Sequence, residues 1–221
     1  MSQLSSTTDT TPPEIVDEVR QKLAASIRAT LGDAVLDVFI KPGDDIWVRV
    51  SNESWKVAVQ KLRDALGFEY FCFLSAIDWM PSPYGRGEDD PTEPPPERDT
   101  TIRSGYAGGE TRMQVFIRLV SFASRIGVTV KVDVADEMPS IASIADVFGG
   151  ANWHERETHE MFGIDFVGHP DLRNIYLPVD FEGHPLRKDF PLLARMVKPW
   201  PGIVDVEPLP GGDVGEEEAS A

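Results

Sequence analysis

The apolar positions of this 221-residue chain change period several times, and each change marks an element. Ile15, Val19, Leu23 and Ile27 recur every four residues behind Thr11-Pro12-Pro13-Glu14, which predicts an amphipathic helix opened by proline and ended at Gly32. The runs 34–40 and 46–50 are apolar and β-branched, and Lys41-Pro42-Gly43-Asp44 between them suits a tight turn. They predict a hairpin. Trp55, Ala58, Val59, Leu62 and Leu66 form one stripe, with Ser51 or Asn52 available as N-cap and Gly67 placed to end a second helix against a sheet.

The aromatic run 68–80 predicts a buried strand, and Met113, Val115, Ile117 and Leu119 alternate in another. Ile126, Val128, Val130, Val132 and Val134 alternate with Gly127, Thr129, Lys131 and Asp133, which predicts antiparallel pairing with one dry face and one wet face. Pro139 is expected to begin a short helix over 140–148, closed by Gly149-Gly150. Asn152 and Glu155 then suit a capping box around a helix ending at Gly163. Beyond 165, prolines at 170, 178, 185, 191, 199, 201, 208 and 210 exclude a long helix and most central strands, so this part is extended and must lean on something.

The expected architecture is α+β: a mixed or antiparallel sheet with packed helices, followed by a long extended proline-rich C-terminal tail. Its expected divisions are a loose N-terminus (1–12), an α+β domain (13–164), a partner-docking tail (165–204) and an acidic disordered end (205–221). A proline-rich segment at 81–112 carries seven Asp/Glu and little that could enter a core, which reads as a mobile acidic insertion within the domain.

Charge narrows the function. A net charge of −16 and a pI near 4.6 repel phosphate backbones and anionic lipid heads, which argues against nucleic acid or a membrane surface as a partner bound by bulk charge. The single cysteine, Cys72, lies within Tyr70-Phe71-Cys72-Phe73-Leu74 and reads as a small buried core residue. One thiol cannot supply the set of thiolates an iron–sulfur cluster or a zinc ribbon uses. The N-terminus lacks the basic start and apolar core of a signal peptide, and no apolar stretch approaches the roughly 18 to 20 residues that span a bilayer. A cytoplasmic placement follows as the expectation.

The densest chemistry is Trp153-His154-Glu155-Arg156-Glu157-Thr158-His159-Glu160-Met161-Phe162-Gly163. Histidines four apart on a helix converge on one metal ion, but His154 and His159 are five apart. At about 100° per residue they point about 140° away from each other. The glutamates could form an acid–base pair, yet no nucleophile or phosphate cradle accompanies them. Arg156 and Glu160 at i, i+4 could simply pair on a surface. Against that bland reading, charged and apolar residues are interleaved around the whole wheel, as on a helix that buries charges against a partner. The stretch 162–195 repeats the mixture without helical or strand period. Residues 168–202 hold five Lys/Arg and four Asp/Glu, and Phe166, Leu172, Ile175, Tyr176, Phe181, Phe190, Leu192 and Trp200 in this region need burial, which docking on another protein would supply.

At these residues the sequence resembles the 30 kDa, or C-type, subunit family of NADH-quinone oxidoreductase, respiratory complex I. The resemblance is carried by Glu155-Arg156-Glu157, Glu160-Met161-Phe162-Gly163-Ile164, Gly168-His169-Pro170, Leu172-Arg173 and Pro185-Leu186-Arg187-Lys188-Asp189-Phe190-Pro191-Leu192. One departure lies inside the motif: Thr158-His159-Glu160 stands where the family commonly has an aromatic residue followed by aspartate. The resemblance implies a scaffold component of the peripheral arm, on the cytoplasmic side of the cell membrane and attached to it only through the complex. It implies a place beside the D-type partner of the same complex, with no flavin, cluster or quinone site in this chain; FMN, iron–sulfur clusters and quinone belong to other subunits. Glu155, Arg156, Glu157, Arg187, Lys188 and Asp189 are the expected interface ion pairs. Phe162, Phe166 and Phe190 are the expected anchors, and Gly163 lies within the same interface.

Three other readings stay open at this point. The chain could serve a related membrane hydrogenase, which would copurify with a nickel enzyme rather than a flavin-bearing NADH-oxidising protein. It could be a stand-alone metal-dependent hydrolase using the Glu/His helix, which predicts bound metal. Finally, the tail could fold back over its own domain and resist proteolysis near residues 185–198.

Overall fold

The computed structural model describes residues 17–82 and 100–190. The expectations for 1–12, for the proline opening of the first helix, for 83–99 and for 191–221 lie outside the described residues. The elements run α1 (Glu18–Leu31), β1 (Val35–Ile40), β2 (Ile46–Val50), α2 (Trp55–Leu66), β3 (Tyr70–Asp78), β4 (Met113–Ser121), β5 (Ile126–Val134), β6 (Ser140–Ala142), α3 (Ala151–Phe162) and β7 (Asp165–Val167). The fold is α+β, as the pattern predicts. Strands β1 to β5 form one sheet in the order β1-β2-β5-β4-β3, antiparallel except where β2 runs parallel to β5, and β6 pairs with β7 in a small parallel sheet.

One face of the large sheet is aliphatic and takes the helices. Val48, Val130 and Ile117 face each other across β2, β5 and β4, as do Val50, Val132 and Val115, and all six are fully buried. Ala24, Ile27 and Leu31 of α1 and Trp55, Ala58, Val59 and Leu62 of α2 close the same core. Val19, expected on the α1 stripe, stays exposed. Asp17 caps α1 by accepting the Arg20 amide (3.0 Å), and Gly32 ends it. No Ser51 or Asn52 side chain caps α2; a short 3-10 turn (Asn52–Ser54) leads into it. The Asn52 amide donates instead to the carbonyls of Asp133 (3.3 Å) and Ser140 (3.1 Å), tying β5 to β6.

The other face was expected to be wet and is not. Thr129 and Lys131 are both buried, and residues 104–110 of the expected mobile insertion lie across the Lys131 end of this face. Lys131 Nζ donates to the Ser104 carbonyl (2.7 Å), Arg49 donates to the Ala107 carbonyl (3.1 Å) and to Asp133 (2.8 Å), and Tyr106 stacks on Phe39. Polar residues at alternate positions mark a hydrogen-bonded layer here, not a solvent face. Cys72 is also not a core residue: it is the extra residue of a β-bulge between Phe71 and Phe73, half-exposed, with Arg118 donating to its sulfur (3.1 Å).

The short helix expected at 140–148 is replaced by β6 and a single turn, in which the Val147 and Phe148 amides both donate to the Ile144 carbonyl. Ile141 opposite Phe166 explains the change: extended backbone on both strands turns this one pair into the core. No capping box forms either. Gly150 occupies the N-cap position of α3 without a side-chain bond, and Glu155 turns inward.

Candidate functional site: helix α3 and its strap

Helix α3 ends at Gly163, whose left-handed φ of 70° suits glycine, and any side chain added there would strike His184 and Arg187. A helix leaves its last four carbonyls without intrahelical donors. Here all four are filled. The Gly163 amide donates to His159 (2.8 Å), His184 Nδ1–H to Glu160 (2.9 Å), the Leu186 amide to Met161 (3.1 Å) and Arg187 Nε–H to Phe162 (2.5 Å). Three of these donors come from residues 184–187, so the chain beyond β7 is a strap closed over the end of α3.

Arg156 and Glu160 grip the same strap one turn earlier. Arg156, under the Trp153 ring, donates to the Arg173 carbonyl (2.9 Å). The Glu160 carboxylate accepts the amides of Ile175 (3.0 Å), Tyr176 (3.0 Å) and Leu177. Burial disfavours its charge, but the three amides outweigh burial and hold the carboxyl below its ordinary value. These two residues are therefore not a surface ion pair. The strap's far end is fixed at the end of β3, where the fully enclosed Asp78 carboxylate accepts Arg112 (2.5 and 2.8 Å) and the Lys188 amide (2.8 Å). Arg112 also pairs with Asp189 (2.9 Å).

Several residues expected at an interface are thus used inside the chain. Glu155 is fully buried, bonded to Ser143 and the Ile144 amide. Arg156 is buried against strap carbonyls, and Phe162 and Phe166 are core residues. The other expected positions are closer to the surface. Glu157 is half-buried on α3, Arg187 closes the Phe162 carbonyl, and Phe190 stacks on Phe181 with ring centroids 6.0 Å apart. The two helix histidines face different ways: His154 Nδ1–H donates to the Leu74 carbonyl of β3 (3.0 Å), and His159 Nδ1–H to the Ile164 carbonyl (2.9 Å). Asp78, Arg112 and His184 were not singled out from sequence, because their partners lie far away along the chain and no local motif marks them.

The backbone of 165–190 therefore does fold back on its own domain. Several of its apolar side chains do not follow, although Phe166 is buried and Leu172 packs against the core. Val179 is 97% exposed, Tyr176 63%, Val167 61% and Leu186 52%, with Trp153 of α3 66% exposed nearby in the chain. The strap is fixed from behind by hydrogen bonds while Tyr176, Val179 and Leu186 face outward.

Comparison with known proteins gives the same direction. Residues 48–196 match the family model for the respiratory-chain NADH dehydrogenase, 30 Kd subunit. The chain is 38% identical over 188 residues to the C subunit of NADH-quinone oxidoreductase from Hydrogenovibrio crunogenus, covering 79% of this chain and 81% of that one. It is 52% identical over 92 residues to the protein of the same description from Roseiflexus castenholzii, covering 42% of this chain; that match spans about half (53%) of the relative. Among solved structures, the trypsin-resistant fragment (1–134) of Nqo5 aligns with a TM-score of 0.50 and 25% identity, covering 69% of this chain and 98% of the fragment. A chain of the archaeal membrane-bound sulfane sulfur reductase shares the fold at a TM-score of 0.58 and 18% identity, covering 80% of this chain and 88% of that one.

Proposed function

Because the chain belongs to the 30 kDa subunit family of respiratory-chain NADH dehydrogenase, we propose that it is a scaffold of the peripheral arm of an NADH-quinone oxidoreductase. Its outward-facing strap docks on neighbouring subunits, chiefly the D-type one. The carrying observation is that Tyr176, Val179 and Leu186 are exposed on a segment whose backbone is already fixed to α3 and β3. Ordering a loop before it meets a partner removes much of the entropy cost of association. An apolar patch held in this way is suited to protein contact.

In this reading the chain holds no redox centre of its own, and a single cysteine supports that, since a cluster takes several thiolates. FMN, iron–sulfur clusters and quinone sit in other members of the complex, and the contribution of this chain to electron transfer and ion translocation is positional. No helix among the described residues is long and apolar enough to cross a membrane. In the proposed arrangement the chain is held at the cytoplasmic face by its partners.

Affinity purification of the tagged full chain from its own cells, after gentle solubilisation, tests the proposal. A flavin-bearing NADH-oxidising protein and the D-type partner should copurify in fixed ratio. Recovery of the chain alone, or with a nickel enzyme in their place, overturns it.

A further inference from the structure

Glu155 is completely enclosed, and its surroundings accommodate either protonation state. One carboxyl oxygen accepts the Ile144 amide (2.7 Å), and the other lies 2.6 Å from Ser143 Oγ, which itself accepts the Ala145 amide (3.2 Å). By rotating, a hydroxyl donates to a carboxylate or accepts from a carboxylic acid. The contact with Ser143 is therefore kept in either state, with donor and acceptor exchanged.

His169 stands beside this carboxyl, its ring equally enclosed and Nε2 3.9 Å from the carboxyl oxygen. The imidazole is already committed. Nε2–H donates to the Asn152 carbonyl (3.1 Å), and Nδ1 accepts the Asp171 amide (3.0 Å) at the turn where the strap begins. With both ring nitrogens bonded elsewhere, the ring gives Glu155 no hydrogen bond. The other charged groups nearby do not supply one either. Asp146 of the turn after β6 repels a carboxylate, Lys56 of α2 attracts it but is bonded to Asp146 (2.7 Å), Arg156 turns to the strap, and Asp171 is exposed. Burial outweighs the Ser143 and Ile144 donors and pushes the Glu155 carboxyl up to about 7.

We propose that Glu155 is a proton-binding site that controls closure of the strap. With the proton bound, the turn after β6, α3 and the His169 turn form one locked unit; when it leaves, an uncompensated buried charge loosens them. The proton comes from solvent and rests on a carboxyl oxygen, so nothing else is exchanged. A carboxyl raised in the fold binds its proton more tightly there than in the unfolded chain. The stabilisation is complete below about pH 4.5, the ordinary value, and is lost as pH rises through about 7.

The test is amide hydrogen exchange over residues 169–177 in the full chain from pH 5 to pH 8, corrected for intrinsic rates, in wild type and Glu155→Gln. The amide side chain mimics the protonated acid. Protection in wild type should fall about 10- to 100-fold relative to the variant across that range. Parallel pH profiles for the two proteins overturn the proposal. A second readout needs no variant: carbon NMR titration of the Glu155 carboxyl should show a midpoint near neutrality, and a midpoint below about 5 overturns it equally.

Discussion

The Glu160 carboxylate holds the Tyr176 backbone amide with both oxygens, at 3.0 and 3.3 Å, and so joins the last turn of α3 to the middle of the strap. Two neighbouring amides bind the same carboxylate. Glu160→Ala should therefore cost about 2–4 kcal/mol, because three amides lose a charged acceptor together. Urea denaturation of the full chain measures the loss, and trypsin should gain access at Arg173. The sign with pH follows from the lowered carboxyl: its contribution is present above about 4.5 and is lost as pH falls through the lower folded value.

Val179 and Leu186 separate docking from folding, since both are exposed. Val179→Asp with Leu186→Ser should leave the melting temperature within about 2 °C of wild type, because surface changes stay within about 0.5 kcal/mol. The assembled complex should nevertheless be recovered in several-fold lower yield. Changing Arg187 is less informative, because its guanidinium also closes the Phe162 carbonyl.

Thr158 is buried in α3 and its hydroxyl has no hydrogen-bond partner. Thr158→Val keeps the shape and removes the stranded group, so it should stabilise the chain by about 1 kcal/mol. A fall in melting temperature would show that the hydroxyl is satisfied in solution.

Lys131 makes a pH prediction opposite in sign to that of Glu155. Burial lowers its ammonium to about 8, so the unfolded chain binds more protons between about 8 and 10.5 and the fold gains stability as pH rises through that window. Comparing urea midpoints of wild type and Lys131→Met from pH 7.5 to 10 isolates this slope; equal slopes would refute it.

Asp78 is fully enclosed and binds Arg112 with both oxygens. Asp78→Ala should cost about 3 kcal/mol by leaving the guanidinium short of a partner, and should free the strap at Lys188. Rapid exchange of the Lys188 amide in the variant checks this separately from stability.

Where one side of an element carries all the burial, its pattern was readable. The alternation of β2 and the stripe of α2 are such cases. The pattern misled where polar residues are buried too. Lys131 looks solvent-facing until residues 104–110 cover it, and Ile141 reads as helical until Phe166 supplies its strand partner. In the candidate site, the motif around Glu160 lies on the helix that the strap covers. It did not reveal that Glu155, Phe162 and Phe166 face inward, because interleaved charges describe a helix buried by its own strap as well as one buried by a foreign surface.

The bond from His154 to the Leu74 carbonyl has a wider consequence. β3 is an outer strand of the sheet, and an unpaired outer strand is a template for stacking with other chains. Helix α3 lies along that border and occupies it. A newly made copy waiting for its companions is thus shielded on this side from clumping with its siblings.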